Sequence, residues 1–122
     1  MRRFLVLIVI LSYNTLPAQP QLKFTDAKKS FGFVKKGEEV KLIYEFSNEG
    51  NQPLIINGTG QLCTCTHVTW PKEPIQPKQK GLIEILFDTA PTYDRQDRVV
   101  EILSNDPKSP GKIRFKGVVL KK

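Results

Sequence analysis

Apolar and polar residues alternate along most of the chain with a period of two. The clearest example lies between positions 38 and 48, where Val40, Leu42, Tyr44 and Phe46 fall on one face and polar residues fall on the other. Alternate side chains of a β-strand point to opposite faces of its sheet. This segment therefore predicts a strand with one buried face.

The same alternation, interrupted by turn residues, predicts further strands. They cover residues 22–25, 30–34, 54–56, 65–70, 81–88, 98–104 and 112–120. About seven short strands in roughly 100 residues, with no amphipathic helix after residue 18, predict an all-β fold, an immunoglobulin-like β-sandwich. Apolar residues from different strands should then share one core: Phe46, Ile85, Phe87, Ile102 and Phe115.

Three short sequences between the strands are typical of turns. Asn48 and Gly50 suit a hairpin-type turn, because Asn and Gly tolerate positive φ at low cost. Residues 57–59, Asn-Gly-Thr, also fit an N-glycosylation acceptor. Thr89 lies in an Asp-Thr-Ala sequence similar to one that carries O-glycans in some exported bacterial proteins. In both cases a turn is favoured over the modification.

Residues 1–18 have the organisation of a secretory signal peptide. Arginines near the start precede an unbroken apolar run over residues 4–11, and Ala18 supplies a small residue before the predicted cleavage position. The apolar run is too short to span a bilayer, which takes about 20 residues. The sequence therefore predicts export to the periplasm, the cell surface or the medium, with a single mature domain of residues 19–122 and no membrane span after cleavage. An uncleaved N-terminal anchor is the alternative.

Length and charge narrow the classes of protein further. A chain of 122 residues has room for one such domain, which argues against a multidomain enzyme. The formal net charge of +7 falls to +5 when the two arginines of the signal peptide are removed. The remaining excess is concentrated near the C-terminus, in Lys108, Lys112, Arg114, Lys116, Lys121 and Lys122.

Two explanations fit this basic segment. It can attract an anionic partner such as an envelope polymer or an acidic glycan. The favoured explanation is an edge strand whose lysines discourage pairing with other sheets. Nucleic acid is not expected as a partner, because no aromatic residues are interleaved with the lysines as in a nucleic-acid-binding motif.

The two cysteines and the one histidine lie together in residues 63–67, Cys-Thr-Cys-Thr-His. In an extended strand, Cys63, Cys65 and His67 would share one face and could bind Cu(I) or Zn(II), since those ions favour thiolate and imidazole ligands. A tetrahedral zinc site would need a fourth ligand, which the sequence does not nominate. In an oxidising compartment the cysteines can instead form a disulfide or a redox pair. A third alternative is a pair of packed thiols near Trp70.

No set of catalytic residues stands out. His67 is the only histidine, and nothing pairs it with a nucleophile and an acid as in a Ser-His-Asp triad. The glycines are scattered at turns and strand ends and form no phosphate-binding loop. We therefore expect a protein that is not an enzyme and that has no cofactor other than the copper or zinc considered above.

An ordered set of short motifs is distinctive. In chain order they are Phe31-Gly32-x-Val34, Phe46-x-Asn48-x-Gly50, Pro53-Leu54-x-Ile56, Cys63-x-Cys65-Thr66, Pro74-Ile75-x-Pro77, Gly81-x-Ile83, Ser104-Asn105 and Gly117-Val118. This order resembles the secreted bacterial family called domain of unknown function 1573, which is similar to Hydin-type and major-sperm-protein-like immunoglobulin folds. The resemblance covers residues 24–120. It implies an exported immunoglobulin-like domain and no catalytic role.

The leading functional hypothesis is an exported, non-enzymatic immunoglobulin-like module that binds a protein or a cell-envelope component. Such a module can use an exposed sheet edge, to which a partner adds an extended segment as a further strand. The alternative is a protein that handles copper, zinc or thiol redox chemistry at Cys63, Cys65 and His67.

Overall fold

The computed structural model describes residues 18–121, and the regular elements in that range are all β-strands. The eight strands are β1 (Leu22–Phe24), β2 (Lys28–Lys35), β3 (Glu39–Asn48), β4 (Ile56–Thr59), β5 (Thr66–Thr69), β6 (Lys80–Asp88), β7 (Asp94–Ser104) and β8 (Gly111–Leu120). Among the described residues no helix is long and apolar enough to cross a membrane. The predicted signal peptide falls on residues 1–18, of which residues 1–17 lie outside the described part of the chain.

The strands form two four-stranded sheets. The first sheet has the order β1-β3-β6-β5, and the second sheet has the order β2-β8-β7-β4. Neighbouring strands are antiparallel except for β2 and β8, which run parallel. The buried faces of both sheets contribute to one core. The predicted all-β architecture is therefore confirmed, with eight strands.

The core contains all five side chains that the strand pattern assigns to it. Each of them is fully buried: Phe46, Ile85, Phe87, Ile102 and Phe115. Phe87 of the first sheet and Phe115 of the second sheet have ring centroids 5.3 Å apart. Phe31 lies beside both rings, with centroid distances of 5.8 and 6.3 Å. These aromatic contacts join the two sheets through the core.

Two strands, β4 and β7, differ most from their predicted bounds. β7 begins at Asp94, several residues earlier than predicted, because its charged first residues pair through the backbone with β8 and need no buried face. Leu54 lies before β4 and joins Ile75 in an isolated bridge, so the predicted strand contributes only Ile56 to β4. Backbone pairing sets where both strands begin, and the alternation of side chains along the sequence does not reveal that pairing.

The prediction that the basic C-terminal strand lies at a sheet edge is wrong. β8 is internal, because the chain brings β2 alongside it in parallel and leaves β2 and β4 at the edges of the second sheet. On the outer face of this sheet Arg114 Nε donates to Asp97 Oδ1 at 2.6 Å. Lys116 Nζ lies 4.0 Å from the same carboxylate. Part of the positive charge of β8 is thus neutralised by β7.

Asn48 ends β3 as a buried hydrogen-bonding residue, and the predicted hairpin-type turn does not form there. Its side-chain amide donates to the Gln52 and Ile75 carbonyls at 2.7 and 2.9 Å. Its Oδ1 accepts from the Gln21 and Gly50 amides at 3.1 and 3.0 Å. The chain then crosses from the first sheet to the second. Close approach, and not positive φ, selects Gly50, because a Cβ there would overlap the backbone of the N-terminal segment.

Candidate functional site

Cys63 and Cys65 are joined by a disulfide in a tight turn that precedes β5. Their Cα atoms are 5.2 Å apart, within the ordinary range for a disulfide. The Thr66 amide donates to the Cys63 carbonyl at 3.0 Å, and the Cys65 amide donates to Cys63 Sγ at 3.2 Å. These bonds turn the chain, so it lacks the extended conformation that the metal hypothesis assumed.

The turn places the three residues of the predicted metal site in different surroundings. Cys65 is 2% exposed and belongs to the core, whereas Cys63 is exposed. His67 lies on the outward side of β5 opposite Leu86, while Thr66 points inward. Within residues 18–121 no three His, Cys, Asp or Glu side chains are grouped as a metal site requires. Metal binding by the reduced protein stays a prediction.

A second candidate site lies on the outer face of the second sheet, near one end. It presents three exposed apolar side chains around the half-buried Val118, with two lysines beside them. We call it the Phe33 surface: Phe33, Tyr93, Val118 and Leu120, with Lys36 and Lys121. Phe33 is 75% exposed and Tyr93 is 58% exposed. Phe33 of β2 is directly opposite Val118 of β8. Val118, Leu120 and Tyr93 line one shallow depression.

Gly32 explains why Phe33 points to solvent while Phe31 points to the core. In a regular strand, residues two apart lie on the same face. Gly32 has a φ of +70°, and the pairing of β2 with β8 shifts register between Ser30 and Gly32. This β-bulge places one extra residue in the strand, as positive-φ glycines often do. Phe33 is therefore turned to the outer face.

Both lysines of the Phe33 surface lie close to the ring of Tyr93. Lys121 Nζ is 5.5 Å from the ring centroid, and Lys36 Nζ is 6.0 Å from it. These distances suit cation–π attraction. The surface therefore presents apolar side chains and positive charge side by side.

Thr89 holds together the two connections that carry Lys36 and Tyr93. Its buried hydroxyl accepts a hydrogen bond from the Gly37 amide at 2.9 Å and donates to the Glu38 carbonyl at 2.6 Å. Gly37 has a φ of +97°, which a side chain would disfavour in this turn. The tie between the β2–β3 and β6–β7 connections positions the lysine and the tyrosine at one end of the sandwich.

The bonds of Thr89 also bear on the glycosylation sequence. Its side chain is fully buried, and its hydroxyl both donates and accepts within the fold. A glycan on this oxygen would remove the donated hydrogen bond and has no space in the folded domain. The Asp-Thr-Ala sequence therefore has a structural role here, as the turn interpretation predicts.

Sequence reasoning did not single out the Phe33 surface. Alternation assigns Phe31 and Phe33 to one face, and the separation of Tyr93 from them along the chain gives no sign of proximity. The one available signal was Gly32 between two aromatic residues, since an isolated glycine within a strand often marks a bulge.

Comparison with known families confirms the resemblance noted from the motifs. The family model described as "Protein of unknown function (DUF1573)" matches residues 22–119. No curated protein matches the chain.

Solved structures share the fold at low sequence identity. The chain is similar to a protein of unknown function from Porphyromonas gingivalis W83, with 21% identity, a TM-score of 0.71 and coverage of 88% of this chain and 51% of that one. It thus spans about half the length of that protein. It is also similar to PapD-like domain 7 of human CEP192, with 9% identity, a TM-score of 0.64 and coverage of 98% and 99%.

A third likeness is to the VesB protease of Vibrio cholerae, with 14% identity and a TM-score of 0.62. It covers 84% of this chain but only 32% of the protease chain. At such identities all three likenesses show the fold alone, a PapD-like β-sandwich of immunoglobulin type.

Proposed function

The chain belongs to the DUF1573 family of proteins of unknown function, and from that premise we propose that it is an exported, non-enzymatic module that binds a component of the cell envelope. The observation that carries the proposal is the Phe33 surface. Exposed apolar side chains that lie together and are rimmed by polar residues mark a binding surface. Here Tyr93 and Leu120 lie near Phe33, an aromatic side chain that is 75% exposed. Full burial of such a side chain stabilises a complex by about 1.5–3 kcal/mol.

Export is supported by the N-terminal pattern and by the chemistry of the cysteines. A disulfide such as Cys63–Cys65 persists in oxidising compartments outside the cytoplasm. Near the predicted cleavage position, the Gln19 amide donates to Asn51 Oδ1 at 2.8 Å, and the Asn51 amide donates to the Gln19 carbonyl at 3.1 Å. Cleavage after Ala18 would leave both contacts intact.

A non-enzymatic role is supported by the structural bonds of the groups whose pKa values are shifted. Burial raises the pKa of Tyr44, whose hydroxyl joins the two sheets. The hydrogen bond from Arg114 lowers the pKa of Asp97 on the outer face of the second sheet. Perturbed pKa values are common at active sites. Here each group whose pKa is shifted takes part in a hydrogen bond between two strands, which accounts for it structurally.

Site-specific photocrosslinking in cells tests the proposal. The full chain would carry a benzophenone side chain at position 33 or, as a matched control, at position 82. Leu82 is 54% exposed on the outer face of the first sheet. We expect an envelope-derived adduct, whether lipid, glycan or protein, from position 33 and none from position 82, on protein that has lost residues 1–18. Cytoplasmic protein that retains Met1, or the same adducts from both positions, would overturn the proposal.

A second candidate function is thiol–disulfide exchange, which the unequal exposure of the two cysteines favours. Cys63 is exposed, and Cys65 lies in the core. A thiolate of a partner dithiol would attack Cys63 Sγ and form a new S–S bond, while the bond to Cys65 breaks and Cys65 leaves as a thiolate. The partner's second thiolate then attacks the mixed disulfide. The partner is oxidised to a disulfide, and Cys63 and Cys65 are reduced and take up its two protons.

Trapping with glutathione tests this second candidate. We expect the folded protein to form a mixed disulfide at Cys63 and not at Cys65, as peptide mass spectrometry would show. A native disulfide that does not exchange until the protein is unfolded by urea would exclude the function.

A further inference from the structure

Positive charge is in excess around the Phe33 surface. The exposed cations on or next to it are Lys35, Lys36, Arg95 and Lys121. Lys35 pairs in register with Leu120, and Arg95 pairs in register with Val118. The neighbouring carboxylates are fewer: Glu38, Asp94 and Asp97, of which Asp97 is already paired with Arg114. The surface therefore suits an anionic partner.

The outer face of the first sheet provides the contrast. It also exposes apolar side chains, with Ile43 at 44% and Leu82 at 54%. Two of its lysines are matched by carboxylates in cross-strand ion pairs, Lys41–Glu84 at 3.5 Å and Lys80–Glu45 at 3.2 Å. Apolar exposure occurs on both faces, and the excess of cations distinguishes the Phe33 surface.

The backbone at the free edge of β2 is occupied at both ends. The Lys28 amide donates to Asp26 Oδ1 at 3.2 Å, and the Lys35 amide donates to Glu38 Oε2 at 3.3 Å. The Lys35 carbonyl accepts from the Glu38 amide at 3.0 Å, and the bulge at Gly32 interrupts the strand between them. An added strand would find both ends of β2 occupied and its middle interrupted by the bulge, so we expect a partner to contact side chains on this face.

From these observations we infer that the Phe33 surface binds a lipid bilayer that contains anionic phospholipid, an inference that rests on the proposed binding function. Tyrosine rings partition to the level of the lipid headgroups, and exposed phenylalanine side chains beside them can insert at the boundary with the acyl chains. Lysines beside them attract anionic headgroups, at about 1 kcal/mol each near the membrane surface. Phe33 and Tyr93 supply the first contribution, and Lys36 and Lys121 supply the second. Thr89 fixes the connections that carry Lys36 and Tyr93, so binding costs little conformational entropy there.

Co-sedimentation with vesicles tests the inference on the mature protein, purified after export from cells that express the full chain. One set of vesicles contains equal parts phosphatidylglycerol and phosphatidylcholine, and the other contains phosphatidylcholine alone. We expect binding to the first set only, and loss of binding at high salt, because salt screens exposed charges. The Lys36→Gln/Lys121→Gln variant should bind about 30-fold more weakly, which is about fivefold for each lysine. The matched control, Lys23→Gln/Lys108→Gln, removes the same charge elsewhere and should bind like the parent.

Phe33→Ser tests the apolar contribution, with Leu82→Ser on the first sheet as its control. We expect weakened vesicle binding for Phe33→Ser alone, with unchanged melting temperatures for both because both side chains are exposed. Equal binding by the two variants, or equal binding to neutral and anionic vesicles, would overturn the inference. A protein adduct at position 33 in cells, with no vesicle binding, would overturn the lipid inference and leave the binding function standing.

Discussion

The Tyr44 hydroxyl donates a 2.8 Å hydrogen bond to the Arg114 carbonyl and so joins the two sheets through the core. Tyr44 lies on β3 of the first sheet and is fully buried, and Arg114 lies on β8 of the second sheet. Burial raises the pKa of the Tyr44 hydroxyl, because the phenolate would have to form away from water. The hydroxyl therefore stays protonated and remains a donor over the ordinary pH range.

Tyr44→Phe should lower the free energy of unfolding by about 0.5–1.5 kcal/mol at neutral pH, since it removes one buried hydrogen bond and keeps the ring. The folded pKa of Tyr44 lies above the unfolded value of 10.0. Its contribution is therefore fully present below pH 10 and is lost as the pH rises further, because the unfolded state releases the proton first.

Urea unfolding of the parent and of Tyr44→Phe at neutral pH and above pH 10 checks this prediction. The difference in stability should shrink at high pH. Tyr93→Phe is the control, because Tyr93 is 58% exposed and its substitution should leave stability unchanged. A constant difference across the pH range would mean that the hydroxyl is not buried as described.

Phe46→Ala should lower the free energy of unfolding by about 3–5 kcal/mol, because it removes a fully buried ring from the centre of the core. Phe33→Ala removes the same ring from an exposed position and should change stability by no more than about 0.5 kcal/mol. Urea unfolding measures both values. Similar losses for the two variants would contradict the assignment of strand faces.

Thr89→Val should lower stability by about 1–3 kcal/mol, because it leaves the Gly37 amide without its acceptor and removes the donor to the Glu38 carbonyl. Thr89→Ser keeps the hydroxyl and should lower stability by less than Thr89→Val does. Hydrogen exchange at residues 36–38 should accelerate in the Val variant and stay slow in the Ser variant.

The intact mass of the exported parent should show no glycan, and a glycan mapped to Thr89 in folded protein would refute the structural role.

Cys63→Ser/Cys65→Ser should lower stability by much less than the roughly 3 kcal/mol expected for a disulfide that closes a 15-residue loop, because so short a loop restricts few unfolded conformations. Calorimetry of this variant and of the reduced parent separates the contribution of the disulfide bond from the effect of losing the buried sulfur.

Titration of the reduced parent, His67→Ala and the double variant with Cu(I) and Zn(II) tests metal binding. We expect equally weak binding by all three, and clearly tighter binding by the parent would instead support the metal hypothesis.

Local alternation was enough to predict the strands and the centre of the core. Val40, Leu42, Tyr44 and Phe46 are buried on one face of β3, as their spacing requires, because the period of a strand is a property of the backbone alone. The same reasoning assigned Phe87 and Phe115 to one core, although it gave no partner strand for either.

The candidate site was predictable only in part. The short spacing of Cys63 and Cys65 indicated that the cysteines lie close together, and the disulfide was one of three alternatives. The sequence did not predict that the chain turns before β5, and this turn sends Cys65 inward and leaves His67 outward. Hydrogen bonds from the Thr66 and Cys65 amides to Cys63 hold that turn, and composition does not encode them.

The sequence by itself determined which segments are strands and which of their faces are apolar, because both follow from neighbouring residues. Tertiary structure decided that β8 is internal, that Asn48 bonds three separate segments, and that Phe33 and Tyr93 lie on one surface with Lys36 and Lys121. Those arrangements depend on pairing between residues far apart along the chain, such as β2 with β8. At Gly32 the bulge in that pairing turns Phe33 outward, because one added residue in a ladder of period two moves every later side chain to the opposite face.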